Sequence, residues 1–125
     1  MTVEIRKQFR FEAAHVLPYH PGKCARLHGH SYRLDVAIAG PLQTAGPASG
    51  MVADFDEIGA IVRPRIVDRL DHASLNDVID NPTAERIALW VWGELAPHLP
   101  ALVEIVVWET QTACAIVRGD RARAR

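Results

Sequence analysis

Val3-Glu4-Ile5-Arg6-Lys7-Gln8-Phe9-Arg10-Phe11-Glu12-Ala13-Ala14-His15 is the stretch that decides how this chain folds. Its odd positions are mostly apolar, with Val3, Ile5, Phe9, Phe11 and Ala13, whereas Glu4, Arg6, Gln8, Arg10 and Glu12 are polar. A period of two is the pattern of a strand with one buried face, and it brings His15 to the end of the run on the apolar side. A second run follows with the parity switched. Tyr32, Leu34, Val36 and Ile38 alternate there with Ser31, Arg33 and Asp35, so His28 and His30 open that run on its buried side. Antiparallel pairing puts the end of the first run and the start of the second at the same edge of a sheet. All three imidazoles then converge.

Residues two apart on a strand lie about 6 to 7 Å apart and point the same way, close enough for both rings to reach one ion. Borderline-soft imidazole nitrogen suits zinc, and three histidines leave a fourth position for water or substrate. His15, His28 and His30 are therefore the expected zinc ligands. An isolated histidine carries no such meaning, and His20 and His98, each beside a proline, are read as surface residues.

Composition narrows the class. A chain of 125 residues with a formal net charge of −1 reads as one domain with room for a core, and nucleic acid is not its expected partner. No apolar stretch approaches membrane-spanning length, and the alternation from Met1 to Phe11 is unlike a signal peptide, so a cytoplasmic location is expected. The two cysteines are expected as free thiols, with Cys114 in the core.

The remaining elements follow from local signals. Gly40 to Gly50 is a Gly/Pro-rich connection. Asp54 caps a first helix whose stripe is Phe55, Ile58, Ile61, Val62, Ile66 and Leu70, and Pro64 should bend it. A second helix starts around Asn81-Pro82-Thr83, where either polar residue can cap. It buries Ala84, Ile87, Ala88, Val91 and Leu95. Trp90 and Trp92 fall off that face and suit either a subunit contact or packing on the sheet. Leu102 to Thr110 and Ala113 to Val117 read as the last two strands. The expected fold is α+β: a four-stranded, mainly antiparallel sheet with two helices on one face, spanning residues 1–120, with 121–125 a frayed tail. Such a sheet has two open edges, and oligomerisation is a way to cover them.

Three further groups carry chemistry. Cys24 lies four residues before His28 and is either a fourth zinc ligand or a free thiolate beside an open site. Asp71 next to His72 suits a carboxylate orienting an imidazole, and helix-terminal charge placement explains the same pair. Glu109 ends a strand whose inward positions are read as Val103, Ile105 and Val107. Its carboxylate needs either an arginine or a fork of two N–H donors on a flat heterocycle such as a pterin or guanine. Lys23 and Arg26 are read either as phosphate contacts or as solvated charges.

Phe11-Glu12-Ala13-Ala14-His15, Cys24-Ala25-Arg26-Leu27-His28-Gly29-His30, Leu70-Asp71-His72-Ala73-Ser74-Leu75-Asn76, Asn81-Pro82-Thr83-Ala84-Glu85 and Glu109-Thr110 resemble, in order, the motifs of the 6-pyruvoyltetrahydropterin synthase superfamily. The Cys-x-x-x-His-Gly-His spacing is similar to its bacterial 6-carboxy-5,6,7,8-tetrahydropterin synthase branch, which serves queuosine and 7-deazapurine biosynthesis. The likeness covers nearly the whole chain, although Gln111 to Ala115 lacks the glycine often found after the final turn in that family.

The resemblance implies a tunnelling fold, in which trimers close a barrel and two trimers stack into a homohexamer. It implies zinc on His15, His28 and His30, Cys24 as catalytic thiol, and Asp71 with His72 as a proton relay supplied by a neighbouring subunit. Glu109 would anchor a pterin, with Thr83, Thr110 and Thr112 near its ring. The implied activity is a zinc-dependent carbon–carbon lyase. It would convert 7,8-dihydroneopterin triphosphate to 6-carboxy-5,6,7,8-tetrahydropterin, releasing acetaldehyde and triphosphate, with no redox cofactor. Two alternatives stand beside it: 6-pyruvoyltetrahydropterin synthase chemistry, which eliminates triphosphate without carbon–carbon cleavage, and a non-catalytic zinc or pterin-binding protein with Cys24 on the metal.

Overall fold

The computed structural model describes residues 1–119; the tail assigned to 121–125 lies outside the described residues. The two alternating runs form β1 (Val3–His15) and β2 (His28–Gly40), paired antiparallel in unbroken register from Val3↔Gly40 to His15↔His28. β1 buries Phe9, Phe11, Ala13 and His15, and β2 buries Tyr32, Leu34, Val36 and Ile38, as the parity requires.

The first helix, α1 (Phe55–Val62), is capped by the Asp54 carboxylate, which accepts from the Asp56 amide at 2.8 Å. Pro64 does more than bend it. Without an N–H, proline cannot continue the bonding ladder, and the helix passes through a π-helical turn, Arg63–Val67, before a last turn at Asp68–Leu70. Ile58, Val62, Ile66 and Leu70 still face the core, but Phe55 is exposed at the helix start. The second helix, α2 (Ala84–Leu95), is capped by Thr83, and its Ile87, Ala88, Val91 and Leu95 are fully buried. Trp90 and Trp92 pack partly buried against the core, with the Arg69 guanidinium 4.8 Å above Trp90.

Among the described residues the sheet has five strands, not the expected four. Ala73–Ser74 forms a two-residue strand, β3, parallel to Ala13 and Ala14 of β1, and β4 (Leu102–Trp108) and β5 (Cys114–Arg118) complete the order β3-β1-β2-β4-β5. A register shift between Ala37 and Ile38 pairs Ile38 with Leu102, so Leu102 enters the core in place of the expected Val103. Strand β5 is the exposed edge, and Cys114 lies on it exposed, contrary to the expected core position.

Both helices cover one face. The other carries a charge network in which Arg6 pairs with Glu104 and, at 3.8 Å, with Asp35, while Arg33 lies 4.6 Å over the Trp108 ring. Within one chain the sheet does not close. No described helix is long and apolar enough to cross a membrane.

Candidate metal centre and pterin site

The strand register delivers the histidines. His15 stands directly opposite His28, and His30 is two residues further along the same face, opposite Ala13. Ring centroids of the three lie 4.5 to 5.1 Å apart, and one ligand nitrogen from each falls within 4.8 Å of the others. Gly29 between them is sterically apt, because a Cβ there would come 3.3 Å from the Ala13 carbonyl oxygen.

Two backbone carbonyls orient the rings. His15 Nδ1 donates to Pro82 O at 2.8 Å, and His28 Nδ1 donates to Arg26 O at 2.7 Å. A carbonyl only accepts, so each Nδ1 carries the proton and each Nε2 presents a lone pair. Those two lone pairs face each other at 2.9 Å, and the buried Nε2 of His30 has no hydrogen-bond partner among the described residues. Bare nitrogens facing one another repel unless a cation lies between them. Tetrahedral zinc with nitrogens at about 2.0–2.1 Å would hold them roughly 3.3 Å apart, so the donor set fits that ion.

Tyr32 closes the inner side. Its hydroxyl lies 3.3 Å from His15 Nδ1, and burial first, then the Glu109 charge, push its pKa well up, so it stays a neutral phenol. Burial likewise favours the neutral, ligating form of His30, against the opposing pull of Glu109.

The chain also braces the end of β1. Asp71 Oδ1 accepts from the Glu12 amide at 2.9 Å, and the His72 amide donates to the Glu12 carbonyl. Two residues past β3, the Asn76 side chain accepts from Val16 N and donates to Val16 O, both at 2.8 Å. The segment from Asp71 to Asn76 thus clamps the backbone on both sides of His15. Sequence reasoning missed Pro82, Arg26, Tyr32 and Asn76. The motifs containing Pro82 and Asn76 were visible, but a backbone carbonyl leaves no trace in side-chain identity.

Cys24 sits in a single helical turn, Lys23–Ala25, and the bond from Leu17 N–H to Cys24 O at 3.0 Å pins that turn back on the chain after β1. A cavity of about 430 Å³ is lined by Leu17, Lys23, Cys24, His28, His30 and Glu109. The half-buried Cys24 thus shares the cavity with two of the histidines but is not part of the three-nitrogen cluster. Glu109 lies in the turn after β4, held by its amide bond to Ala113 O at 3.1 Å. Its Oε1 is 3.6 Å from His15 Nε2 and 3.9 Å from His30 Nε2, and it pairs with no arginine among the described residues. It also borders a groove of about 480 Å³ between α2 and β5, beside Glu85, Leu89 and Cys114.

The other expected residues lie outside the Cys24 cavity. His72 Nδ1 is 3.1 Å from Asp71 Oδ1, and the Glu12 amide is the main cause holding the Asp71 pKa below the usual carboxylate range. His72 adopts φ 59°, rare for a residue with a Cβ, and its side chain is 80% exposed. It lines a second cavity of about 510 Å³ with Glu12, Ser31 and Ser74, and His30 borders both that cavity and the one lined by Cys24. Thr83 spends its hydroxyl on the Arg86 amide, Thr110 accepts from the Thr112 amide, and neither lines the Cys24 cavity.

Known proteins agree with this architecture. The model of the family described as 6-pyruvoyl tetrahydropterin synthase matches residues 4–120. A Synechocystis protein named 6-carboxy-5,6,7,8-tetrahydropterin synthase is 46% identical over 115 residues, 89% of each chain. One of the same name from Haemophilus influenzae is 34% identical over 133 residues, covering 88% of this chain and 94% of the relative. The structure of Caenorhabditis elegans 6-pyruvoyl tetrahydropterin synthase superposes with a TM-score of 0.82 over 95% of this chain and 96% of that one, at 24% identity, a likeness of fold. With the family matched along almost its entire length and the fold shared, the chain belongs to the 6-pyruvoyl tetrahydropterin synthase family.

Proposed function

We propose that this protein is a zinc-dependent lyase that converts 7,8-dihydroneopterin triphosphate and one water to 6-carboxy-5,6,7,8-tetrahydropterin, acetaldehyde and triphosphate, within queuosine and 7-deazapurine biosynthesis. The observation that carries the reading is the set of three converging histidine nitrogens, with the Cys24 thiol outside the cluster but on a cavity that two of the three histidines, His28 and His30, also line. The names of the Synechocystis and Haemophilus relatives favour the carboxy product over the pyruvoyl one.

His15, His28 and His30 would hold the zinc. Bound there, zinc supplies Lewis acidity toward the side-chain hydroxyls of the substrate and stabilises the negative charge left when a carbon-bound proton departs. Glu109 would accept two N–H bonds from the amino-pyrimidinone edge of the pterin and fix the ring, with Thr83 and Thr110 as side contacts. Cys24 would take the proton from the side-chain carbon and return it, while His72, held by Asp71, handles a second proton position. Hydrogen redistributed from side chain to ring gives the tetrahydro level without an external reductant. His72 does not line the Cys24 cavity of its own chain, although His30 borders both cavities, and this favours a site completed by a second copy. The assembly would be a dimer of trimers, in the cytoplasm.

The test is incubation of purified zinc-loaded protein with 7,8-dihydroneopterin triphosphate and mass spectrometry of all products. Acetaldehyde with 6-carboxytetrahydropterin is the expected outcome. A pyruvoyl product without acetaldehyde would replace this reading with the eliminating synthase, and unchanged substrate would sink both.

A further inference from the structure

We propose that Lys23 recognises the polyphosphate of the substrate and meets the charge that develops as it leaves, a role that rests on the proposed reaction and adds a specificity determinant to it. Between Glu12 and Asp35 the chain contains no acidic residue, while Lys23, Arg26 and Arg33 are all basic. Lys23 is exposed and lines the cavity of Cys24, His28, His30 and Glu109. None of the ion pairs among the described residues involves Lys23 or Arg26. An unpaired ammonium is thus placed on the wall of the reaction cavity, next in sequence to the thiol.

The connectivity of the substrate suits that placement. Its phosphate ester oxygen is on C3′, one bond beyond C2′, and the reacting carbons must approach Cys24. When a C2′ proton passes to sulfur, the C–H electron pair becomes the C2′–C3′ π bond, and the C3′–O bond breaks with its pair on the triphosphate. The leaving anion gains one negative charge, and Lys23 stays protonated throughout. A compact ammonium with three donors stabilises such a group without transferring a proton to it. Glu109, the one carboxylate on the cavity wall among the described residues, repels phosphate and so favours binding with the ring toward Glu109 and the polyphosphate toward Lys23.

Inorganic tripolyphosphate isolates this role from the chemistry. Titration calorimetry on zinc-loaded wild-type protein, Lys23→Gln and Lys23→Arg, with zinc content measured before and after, reads the anion site even if no turnover occurs. Wild type should bind, Lys23→Gln should bind about tenfold more weakly at unchanged zinc content, and Lys23→Arg should recover most of the affinity. With the full substrate, Lys23→Gln should raise KM by a similar factor, more steeply at low salt than at high. Equal tripolyphosphate affinity in wild type and Lys23→Gln, or no binding by wild type, would overturn the assignment. Absent turnover with an intact Lys23 effect on the anion would instead count against the proposed reaction.

Discussion

Imidazole identity and strand parity made His15, His28 and His30 readable from the chain, because both live in side-chain type and spacing. Their orientation was not readable. It depends on the carbonyls of Pro82 and Arg26, which any residue at those positions would also possess, and on the Tyr32 hydroxyl brought in by packing. Cys24 was legible as a thiol close to the histidines but not as to role, since a place four residues before His28 suits a closed site and an open one equally. Its place outside the nitrogen cluster favours the second. Cys24→Ala should therefore keep a full zinc complement while turnover falls by about 10²-fold or more, the scale of a lost general base. Zinc content by plasma emission and steady-state kinetics on the same sample check both halves.

Period-two alternation exposed β1, β2 and, in β4, Ile105 and Val107 but not Leu102, and helical spacing exposed both helices. The two-residue β3 carried no such signal, because Ala-Ser has neither length nor propensity, and the bulge at Ala37/Ile38 has no glycine or proline to mark it. Yet β3 and its flanks hold the end of β1. Asn76→Ala removes two hydrogen bonds to Val16 and should cost about 1–3 kcal/mol, seen as a lower Tm and weaker zinc retention against a chelator. The Asp71 carboxylate makes a pH-dependent part of the same brace. Its folded pKa lies below the usual value, so its bond to the Glu12 amide is fully present above the ordinary carboxylate pKa and is lost only as pH falls through the lower folded one. The Glu12 amide resonance should hold its shift through the ordinary range and move below it, and Asp71→Asn should abolish that titration.

At the level of the whole molecule, β5 is an open edge, and the exposed His72 does not line the Cys24 cavity of its own chain. If a second copy supplies Asp71 and His72, co-expressed Cys24→Ala and His72→Ala chains should regain activity, since about a quarter of sites in randomly mixed oligomers would carry both intact groups. Neither variant alone should show it, and no recovery in native-mass-verified mixed oligomers would place thiol and imidazole in the same chain. Every scale depends on a metal held by three histidines with one coordination position left for substrate. X-ray absorption at the zinc edge of the purified protein tests that most directly. Three nitrogens and an oxygen at about 2.0–2.1 Å, unchanged in Cys24→Ala, are the predicted result, and a sulfur shell at about 2.3 Å that vanishes in the variant would contradict it.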